Sequence, residues 1–357
     1  MPPRVDQRSG RVRSTRPHWA FEQSQPAPPP VNINPADDTG EKGIDVVHER
    51  SLTEPFHTLR AVEVRGGALC VAQAGPAPEE ADAVVLAVHG VTSSHMAFRA
   101  TARELSATPG VCLLAPDLRG RGRSALVGPY GFADHMADLL AVLDDAGAER
   151  TVLAGHSMGA YLAARLAADH PDRTAALVLV DGGLLIPISP EQNREELLRM
   201  VIEQATARLK MTFKSVDEYV DLWRGHTALL GRWNADIDAY ARYDVTGEAG
   251  NVSCVVSPAA VAADCSDLVY EEPKRAALDR VRAPVHLLRA ERGLFDDDPV
   301  LPESLIDAFV AAHPEATVEM VEGTNHYTLI FADPGPQRIA AAIQAAIPAP
   351  ITACKSS

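Results

Sequence analysis

The amino-acid sequence predicts an α/β protein with a mostly parallel, doubly wound sheet and an inserted helical segment. Short apolar runs such as Ala83–Val88 and Ala175–Val180 are typical of strands buried on both faces of a sheet. Segments of helical periodicity separate these runs, and alternating strands and helices indicate a parallel sheet. About 100 residues separate Asp181 from the next predicted strand at Val285, whereas one crossover unit takes roughly 30. An additional segment therefore interrupts the alternation.

The predicted elements follow one another from residue 44 onward. Gly66-Gly67 stands between the extended segments Arg60–Arg65 and Ala68–Ala74 and predicts a hairpin turn. Periodicity within Gly131–Ala146 is helical, since its leucines recur along one side. The remaining elements are predicted at Ala83–Val88, Met96–Ala107, Val111–Ala115, Gly131–Ala146, Thr151–Ala154, Met158–Asp169, Ala175–Val180, Val285–Arg289, Glu303–Ala312, Thr317–Val321 and Pro336–Ile347.

Three parts of the chain differ in composition. Residues 1–43 are rich in proline and arginine and predict a disordered tail; no apolar stretch follows the arginines, so a secretory signal is not expected. Residues 44–185 and 276–350 supply the sheet domain. Residues 186–275 are expected to form an aromatic-rich helical cap, inserted into that domain and without a sheet of its own. Its predicted helices are Glu191–Leu209, Val216–Trp223 and Ala235–Tyr243.

The composition excludes several classes of protein. The 357 residues are 46% hydrophobic and 23% charged, as in ordinary globular proteins. A formal charge of −15, from 48 acidic and 33 basic residues, argues against a nucleic-acid-binding surface. The apolar runs are shorter than the roughly 18 residues that cross a bilayer, so no membrane span is expected.

The five cysteines are scattered and contain no C-x-x-C pair. This pattern is typical neither of a disulfide framework nor of a zinc site. We expect free thiols in a reducing cytoplasm, with a single Cys254–Cys265 bridge as the alternative in a secreted form.

The main chemical signal is the G-x-S-x-G motif from Gly155 to Gly159, with Ser157 at its centre. The motif follows the predicted strand Thr151–Ala154 directly and opens the helix that begins at Met158. A sharp strand–turn–helix connection projects a serine hydroxyl above the carboxyl edge of a sheet, where the helix N-terminus favours negative charge. Ser157 is therefore the candidate nucleophile.

A serine nucleophile needs a base and an orienting acid. His326 is the candidate base, because it follows the last predicted strand and so lies at the same sheet edge as Ser157. His89 and His156 also end strands, but each stands in a tight turn beside glycine and is interpreted as scaffold. The other weighed histidines are interpreted as surface or core residues, namely His95, His135, His226, His286 and His313.

The acid is the least determined member of the site. The loop after Val285–Arg289 carries Asp296, Asp297 and Asp298, and the chain order Ser–Asp–His places the acid there. We select Asp296. Asp298 and Asp181, which ends the preceding strand, are the alternatives.

With these residues the chain resembles the α/β-hydrolase superfamily over most of residues 60–347. His89-Gly90-Val91 is similar to the family's oxyanion-loop motif, and Asp117–Ser124 matches its D-x-R-G-x-G-x-S loop. The resemblance implies Ser157 as nucleophile, His326 as base and a carboxylate after a late strand. It also implies an oxyanion hole made by the backbone N–H groups of Val91 and Met158. Dehalogenases and epoxide hydrolases of this family use an aspartate nucleophile, which the serine disfavours.

The expected activity is hydrolysis of a small carboxylic ester or lactone through an acyl-enzyme, without cofactor or metal. The aromatic cap favours an apolar acyl or alcohol group of modest size. Thioesters, amides and carbon–carbon bonds next to a ketone stay open as substrates. So do a lyase or a cofactor-free peroxidase with the same three residues, and a non-catalytic receptor or scaffold. The sequence does not predict the oligomeric state.

Overall fold

A computed structural model describes residues 54–124, 128–189, 191–270 and 276–347. Its centre is an eight-stranded sheet with the order β1-β2-β4-β3-β5-β6-β10-β11. β1 and β2 are antiparallel to their neighbours and the remaining strands are parallel, which confirms the predicted α/β fold. The strands are β1 (Thr58–Val64), β2 (Gly67–Ala74), β3 (Ala83–Val88), β4 (Val111–Pro116), β5 (Thr151–His156), β6 (Thr174–Val180), β10 (Val285–Arg292) and β11 (Thr317–Asn325).

The central strands are buried along their whole length because helices cover both faces of the sheet. Every residue of β5 and β6 is buried. Alternate residues of β3 pack into two different apolar clusters, with Val85 and Ala87 in one and Val84, Leu86 and Val88 in the other. Among the described residues, the α-helices outside the insertion are α1 (Arg99–Leu105), α2 (Phe132–Asp145), α3 (Met158–Asp169), α8 (Glu303–Ala312), α9 (Thr328–Phe331) and α10 (Gly335–Ala346).

The segment between β6 and β10 is the part of the chain for which the sequence predicts an inserted cap. It contains the helices α4 (Arg194–Thr206), α5 (Val216–Arg224), α6 (Ala235–Tyr243) and α7 (Pro258–Tyr270), of which α7 has no counterpart in the sequence analysis. The structure also corrects the expectation of helices alone. The short strands β7 (Thr212–Phe213), β8 (Val245–Thr246) and β9 (Val252–Cys254) form an antiparallel sheet with the order β7-β9-β8. Strands of two or three residues are too short to show an alternating pattern.

The structure bears on the predictions for the tail, the cysteines and a membrane span to different extents. The predicted tail, residues 1–43, lies outside the described residues, as does Cys354. Cys70, Cys112, Cys254 and Cys265 are free thiols, so the alternative Cys254–Cys265 bridge is not formed. Within the described ranges, no helix combines the length and the hydropathy needed to cross a bilayer.

Leu153 tests the packing of the central strand. Its side chain is fully buried in β5, so Leu153→Ala removes apolar contacts and leaves a cavity. We expect a loss of about 2–5 kcal/mol in the free energy of unfolding, measured by urea denaturation. Met200→Ala on α4 is the control, because Met200 is half exposed and its loss costs less than about 0.5 kcal/mol. Equal losses in the two variants would contradict this packing.

Candidate active site

Ser157 occupies a tight turn between β5 and α3. Its backbone has φ 53° and ψ −121°, a conformation that costs a non-glycine residue about 1–3 kcal/mol. The flanking glycines make the turn possible: a Cβ on Gly159 would lie 1.9 Å from the Val88 carbonyl oxygen, and one on Gly155 2.2 Å from the Gly159 oxygen. The Ser157 N–H donates to Val180 O at 3.0 Å. The turn is thus held against two neighbouring strands.

His326 follows β11 directly and forms a buried pair with Asp181. Its Nδ1 lies 2.6 Å from Asp181 Oδ2, and a carboxylate partner requires that Nδ1 carries the proton. The other ring nitrogen, Nε2, is then free to accept a proton. His326 and Ser157 line the same pocket. The geometry therefore brings together the predicted nucleophile and base.

Asp181 is held by the backbone of β10. It has φ 45° and is fully buried. Its Oδ1 accepts a hydrogen bond from the Ala290 N–H at 3.1 Å, while its own N–H donates to Leu288 O at 2.8 Å. These contacts fix the carboxylate at the edge of the sheet, facing His326.

The structure corrects the selection of Asp296 as the partner of His326. The Asp296 side chain is 41% exposed, and its Oδ1 accepts hydrogen bonds from Arg292 Nε at 2.7 Å and Asn325 Nδ2 at 2.9 Å. These bonds from Asn325 and Arg292 hold the pKa of Asp296 below its usual range. A tight turn, closed by Gly293 N–H to Asp297 O, folds the loop back onto β10. Asp298 is exposed as well, so Asp181, the alternative from β6, holds the position.

Asn325 anchors the loop that carries His326. It is 2% exposed, and its Nδ2 donates to Asp296 Oδ1 and to Ala228 O of the insertion, the latter at 2.8 Å. Its Oδ1 accepts hydrogen bonds from the N–H groups of Tyr327 and Thr328. Sequence reasoning missed this residue, since an asparagine beside a histidine is common in loops.

The loop after β3 approaches Ser157 closely. A Cβ on Gly90 would lie 3.2 Å from Ser157 Cβ, and Gly90 and Val91 line the pocket. His89 fixes this loop: its Nε2 accepts from the Leu118 N–H at 3.0 Å, so its Nδ1 donates to Gly90 O at 2.7 Å. That carbonyl belongs to the same peptide group as the Val91 N–H. These two hydrogen bonds agree with the interpretation of His89 as a scaffold residue.

His156 directly precedes Ser157 in the chain and packs against His326. Its Nε2 donates to His326 O at 3.1 Å, and the two rings are 4.6 Å apart. Burial, and then the neighbouring His326, keep the pKa of His156 well below its usual value. His156 therefore acts as a neutral spacer behind the candidate base.

The rest of the pocket is mostly apolar. Its cavity measures about 60 Å³. The walls away from Ser157 and His326 combine Tyr240, Leu294, Tyr327, Ile330 and Phe331 with the polar residues Thr92, Ser93 and His156. Tyr240 comes from α6, so the insertion contributes an aromatic wall. Trp223 of the insertion packs edge-on against both Tyr240 and Tyr327. Across the described ranges, no three His, Cys, Asp or Glu side chains are grouped to hold a metal ion.

An eight-stranded, mostly parallel sheet with a strained serine turn and a buried His–Asp pair defines a class of α/β proteins built around a nucleophile elbow. The sequence profile of the α/β-hydrolase fold matches residues 83–333. The chain belongs to this family.

Relatives of the chain carry several hydrolase names. It is 41% identical to the lipase LipV of Mycobacterium tuberculosis over 97 residues, which are 27% of this chain and 36% of LipV. It is 36% identical to epoxide hydrolase A of the same organism over 136 residues, 37% of this chain and 40% of that protein. The chain thus spans well under half the length of these curated relatives. Among solved structures, E-2-(acetamidomethylene)succinate hydrolase aligns with a TM-score of 0.64 at 22% identity, covering 82% of this chain and 99% of that one. This last likeness shows the fold alone.

The contacts of His89 predict that its ring stays neutral. Burial lowers its pKa to about 3. A proton on Nε2 would also break the hydrogen bond that the Leu118 N–H donates to this nitrogen. In an NMR titration we expect its ring signals, assigned by comparison with His89→Gln, not to titrate between pH 5 and 8, while free histidine in the same tube titrates near 6.5. An apparent midpoint above pH 5 would contradict the geometry.

The same contacts set the sign of a pH effect on stability. The unfolded chain takes up a proton at His89 near pH 6.5 that the folded chain does not accept. Lowering the pH from 6.5 towards the pKa of about 3 that His89 has in the folded protein therefore destabilises the native state. The loss is up to about 1.4 kcal/mol per pH unit for this group.

Proposed function

We propose that the protein is a serine hydrolase that cleaves a carboxylic ester through an acyl-enzyme. Ser157 is the nucleophile, His326 the general base and Asp181 the acid that orients it. The observation that carries this proposal is the buried 2.6 Å contact between His326 Nδ1 and Asp181 Oδ2, at a histidine that shares one pocket with Ser157. A carboxylate in this position holds the imidazole in the tautomer that accepts a proton on Nε2.

The proposed reaction has two halves. Ser157 Oγ attacks the carbonyl carbon of the ester while His326 Nε2 takes the hydroxyl proton. The tetrahedral intermediate collapses, the alcohol leaves with the proton from His326, and an acyl group stays on Ser157. Water, activated by the same nitrogen, then attacks the acyl carbon and releases the acid. Asp181 stabilises the imidazolium that forms twice.

The oxyanion of each tetrahedral intermediate needs two donors. Met158 begins α3, so its N–H lies outside the intrahelical hydrogen-bond ladder. The Val91 N–H belongs to the peptide group whose carbonyl His89 holds. Preorganised donors of this kind are usually the largest single contribution to catalysis in acyl transfer.

Features of the pocket and of the relatives support a small acyl substrate. The cavity of about 60 Å³ is small beside the roughly 300–1,000 Å³ of sites for drug-sized ligands. Its walls are mostly apolar and aromatic, which favours an uncharged group of a few carbons. The names of the relatives cover lipase and epoxide hydrolase, and a serine at position 157 favours attack on an acyl carbon.

Ser157→Ala tests the nucleophile. The expected result is loss of p-nitrophenyl ester hydrolysis by roughly 10³-fold or more and loss of labelling by a fluorophosphonate probe. Because alanine also relieves little of the backbone strain, the melting temperature should stay within a few degrees of wild type. Retention of most activity or of labelling in this variant would refute the serine mechanism.

Asp181→Asn tests the acid, with Asp296→Asn as its matched control. An amide facing His326 favours the wrong tautomer and cannot stabilise the imidazolium, so kcat for ester hydrolysis should fall by up to roughly 10⁴-fold. Asp296 bonds to Arg292 and Asn325 only through one exposed oxygen, and its variant should keep kcat within about threefold. The reverse order of the two effects would return the role to Asp296.

A further inference from the structure

The carbonyl of Val91 is held by an arginine from the neighbouring loop. Arg121 Nε donates to Val91 O at 3.0 Å and Arg121 Nη2 donates to the same oxygen at 2.8 Å. Two N–H groups of one planar guanidinium on one acceptor fix its direction more tightly than a single bond does. A third nitrogen, Nη1, donates to Arg119 O at 2.9 Å, so the guanidinium has no rotational freedom.

The charge of this arginine is balanced from the insertion. Arg121 Nη2 also donates to Asp264 Oδ2 of α7, and Asp264 Oδ1 lies 3.0 Å from His135 Nε2 of α2. All three side chains are fully buried. Burial would raise the pKa of Asp264, but the facing His135 and Arg121 outweigh it and hold the pKa below its ordinary value. Asp264 is thus the ionised partner of a buried cation.

Backbone packing joins the same two elements. The Ser257 N–H, just before α7, donates to Gly120 O at 2.8 Å. A Cβ on Gly120 would lie 2.7 Å from Ala260 Cβ, so the loop of Arg121 lies directly against the helix. A second arginine, Arg208 of the insertion, donates from Nη2 to Thr92 O at 3.4 Å. The insertion therefore contacts the Gly90–Thr92 loop through two routes.

These contacts bear on the geometry of the Val91 N–H. The peptide groups on either side of Val91 Cα are each fixed by a side chain, the Gly90 carbonyl by His89 and the Val91 carbonyl by Arg121. With both planes fixed, the two backbone dihedrals of Val91 are fixed as well, and so is the direction of its N–H. A donor aimed before the charge develops needs no reorganisation during the reaction.

We propose that Arg121 and Asp264 are positioning residues for the oxyanion hole, so that the insertion governs the rate of the chemical step in addition to the shape of the pocket. This inference rests on the proposed function. Neither side chain touches the substrate; Asp264 holds Arg121, and Arg121 holds Val91. Removing the Asp264 charge leaves a buried cation without its partner, and the guanidinium then turns towards other acceptors.

The experiment compares Asp264→Asn with Asp236→Asn. Asp236 is the matched control, because it is also a buried carboxylate of the insertion that pairs with arginines of the sheet domain, Arg99 and Arg103, away from the Gly90–Thr92 loop. For each variant, kcat and KM are measured with a p-nitrophenyl ester, together with the inhibition constant of a boronic acid that forms a tetrahedral adduct on serine. Melting temperatures report the structural cost.

For Asp264→Asn we expect kcat to fall roughly 10- to 100-fold with KM within about threefold of wild type, since the hole acts on the transition state. Boronic acid affinity should weaken by a similar factor. Asp236→Asn should lower the melting temperature and leave kcat unchanged. A kcat within twofold of wild type for Asp264→Asn, or equal kcat losses in the two variants, would overturn the inference.

Arg121→Lys covers the case in which Asp264→Asn does not fold. Lysine keeps the charge opposite Asp264, but its single ammonium cannot place the same planar pair of N–H groups on Val91 O. The same fall in kcat and in boronic acid affinity is expected, and unchanged values would overturn the inference. Fluorophosphonate labelling of the wild-type protein distinguishes failure of the proposed function from failure of this inference. Absence of labelling refutes the proposed function and this inference together, whereas labelling with unaffected variants refutes this inference alone.

Discussion

The ends of β3 and β6 approach the turn at Ser157, which follows β5, so closely that no side chain fits between them. A Cβ on Gly159 would overlap the Val88 carbonyl, one on Gly90 would crowd Ser157 Cβ, and one on Gly182 would lie 2.4 Å from Ser157 O. This contact between backbones places the loop after β3, the turn after β5 and the loop after β6 within one site. The position of Asp181 follows directly, because Gly182 presses its loop against the turn.

The imidazoles at this edge have different electrostatic environments. Burial lowers the pKa of His89 to about 3 and holds that of His156 far below its usual value, so both rings serve as neutral hydrogen-bonding parts. His326 has a carboxylate directly behind it. The neutrality of the other two rings avoids repulsion with the positive charge that the proposed mechanism places on His326.

Local patterns predicted much of this arrangement. Met158–Asp169 and Glu303–Ala312 match the observed helices residue for residue, because each is bounded by clear turn residues. Chain order and strand ends, which are properties of the sequence, predict Ser157 and His326 as candidates, and the structure places both in one pocket. The carboxylate that faces His326 could not be selected in this way, since Asp181 and Asp296 both follow strands of the same edge. What distinguishes them is the bend of the loop after β10, which turns Asp296 towards Arg292 and leaves Asp181 facing His326. Arg121 and Asp264 are 143 residues apart, and no local pattern connects them.

The cation–carboxylate pairs between the insertion and the sheet domain limit how this protein can diversify. An inserted segment is the natural place for evolution to change substrate range, because the sheet below it can stay constant. Here, however, Asp264 and Asp236 supply the counter-ions of Arg121 and Arg99, which belong to the sheet domain and are themselves buried. If this segment were replaced by one from another family member that lacks acids at these two positions, Arg121 and Arg99 would remain buried without a counter-ion. Exchange of the whole insertion therefore requires that the buried arginines and their carboxylate partners are replaced together. Single substitutions at the pocket wall do not disturb these ion pairs.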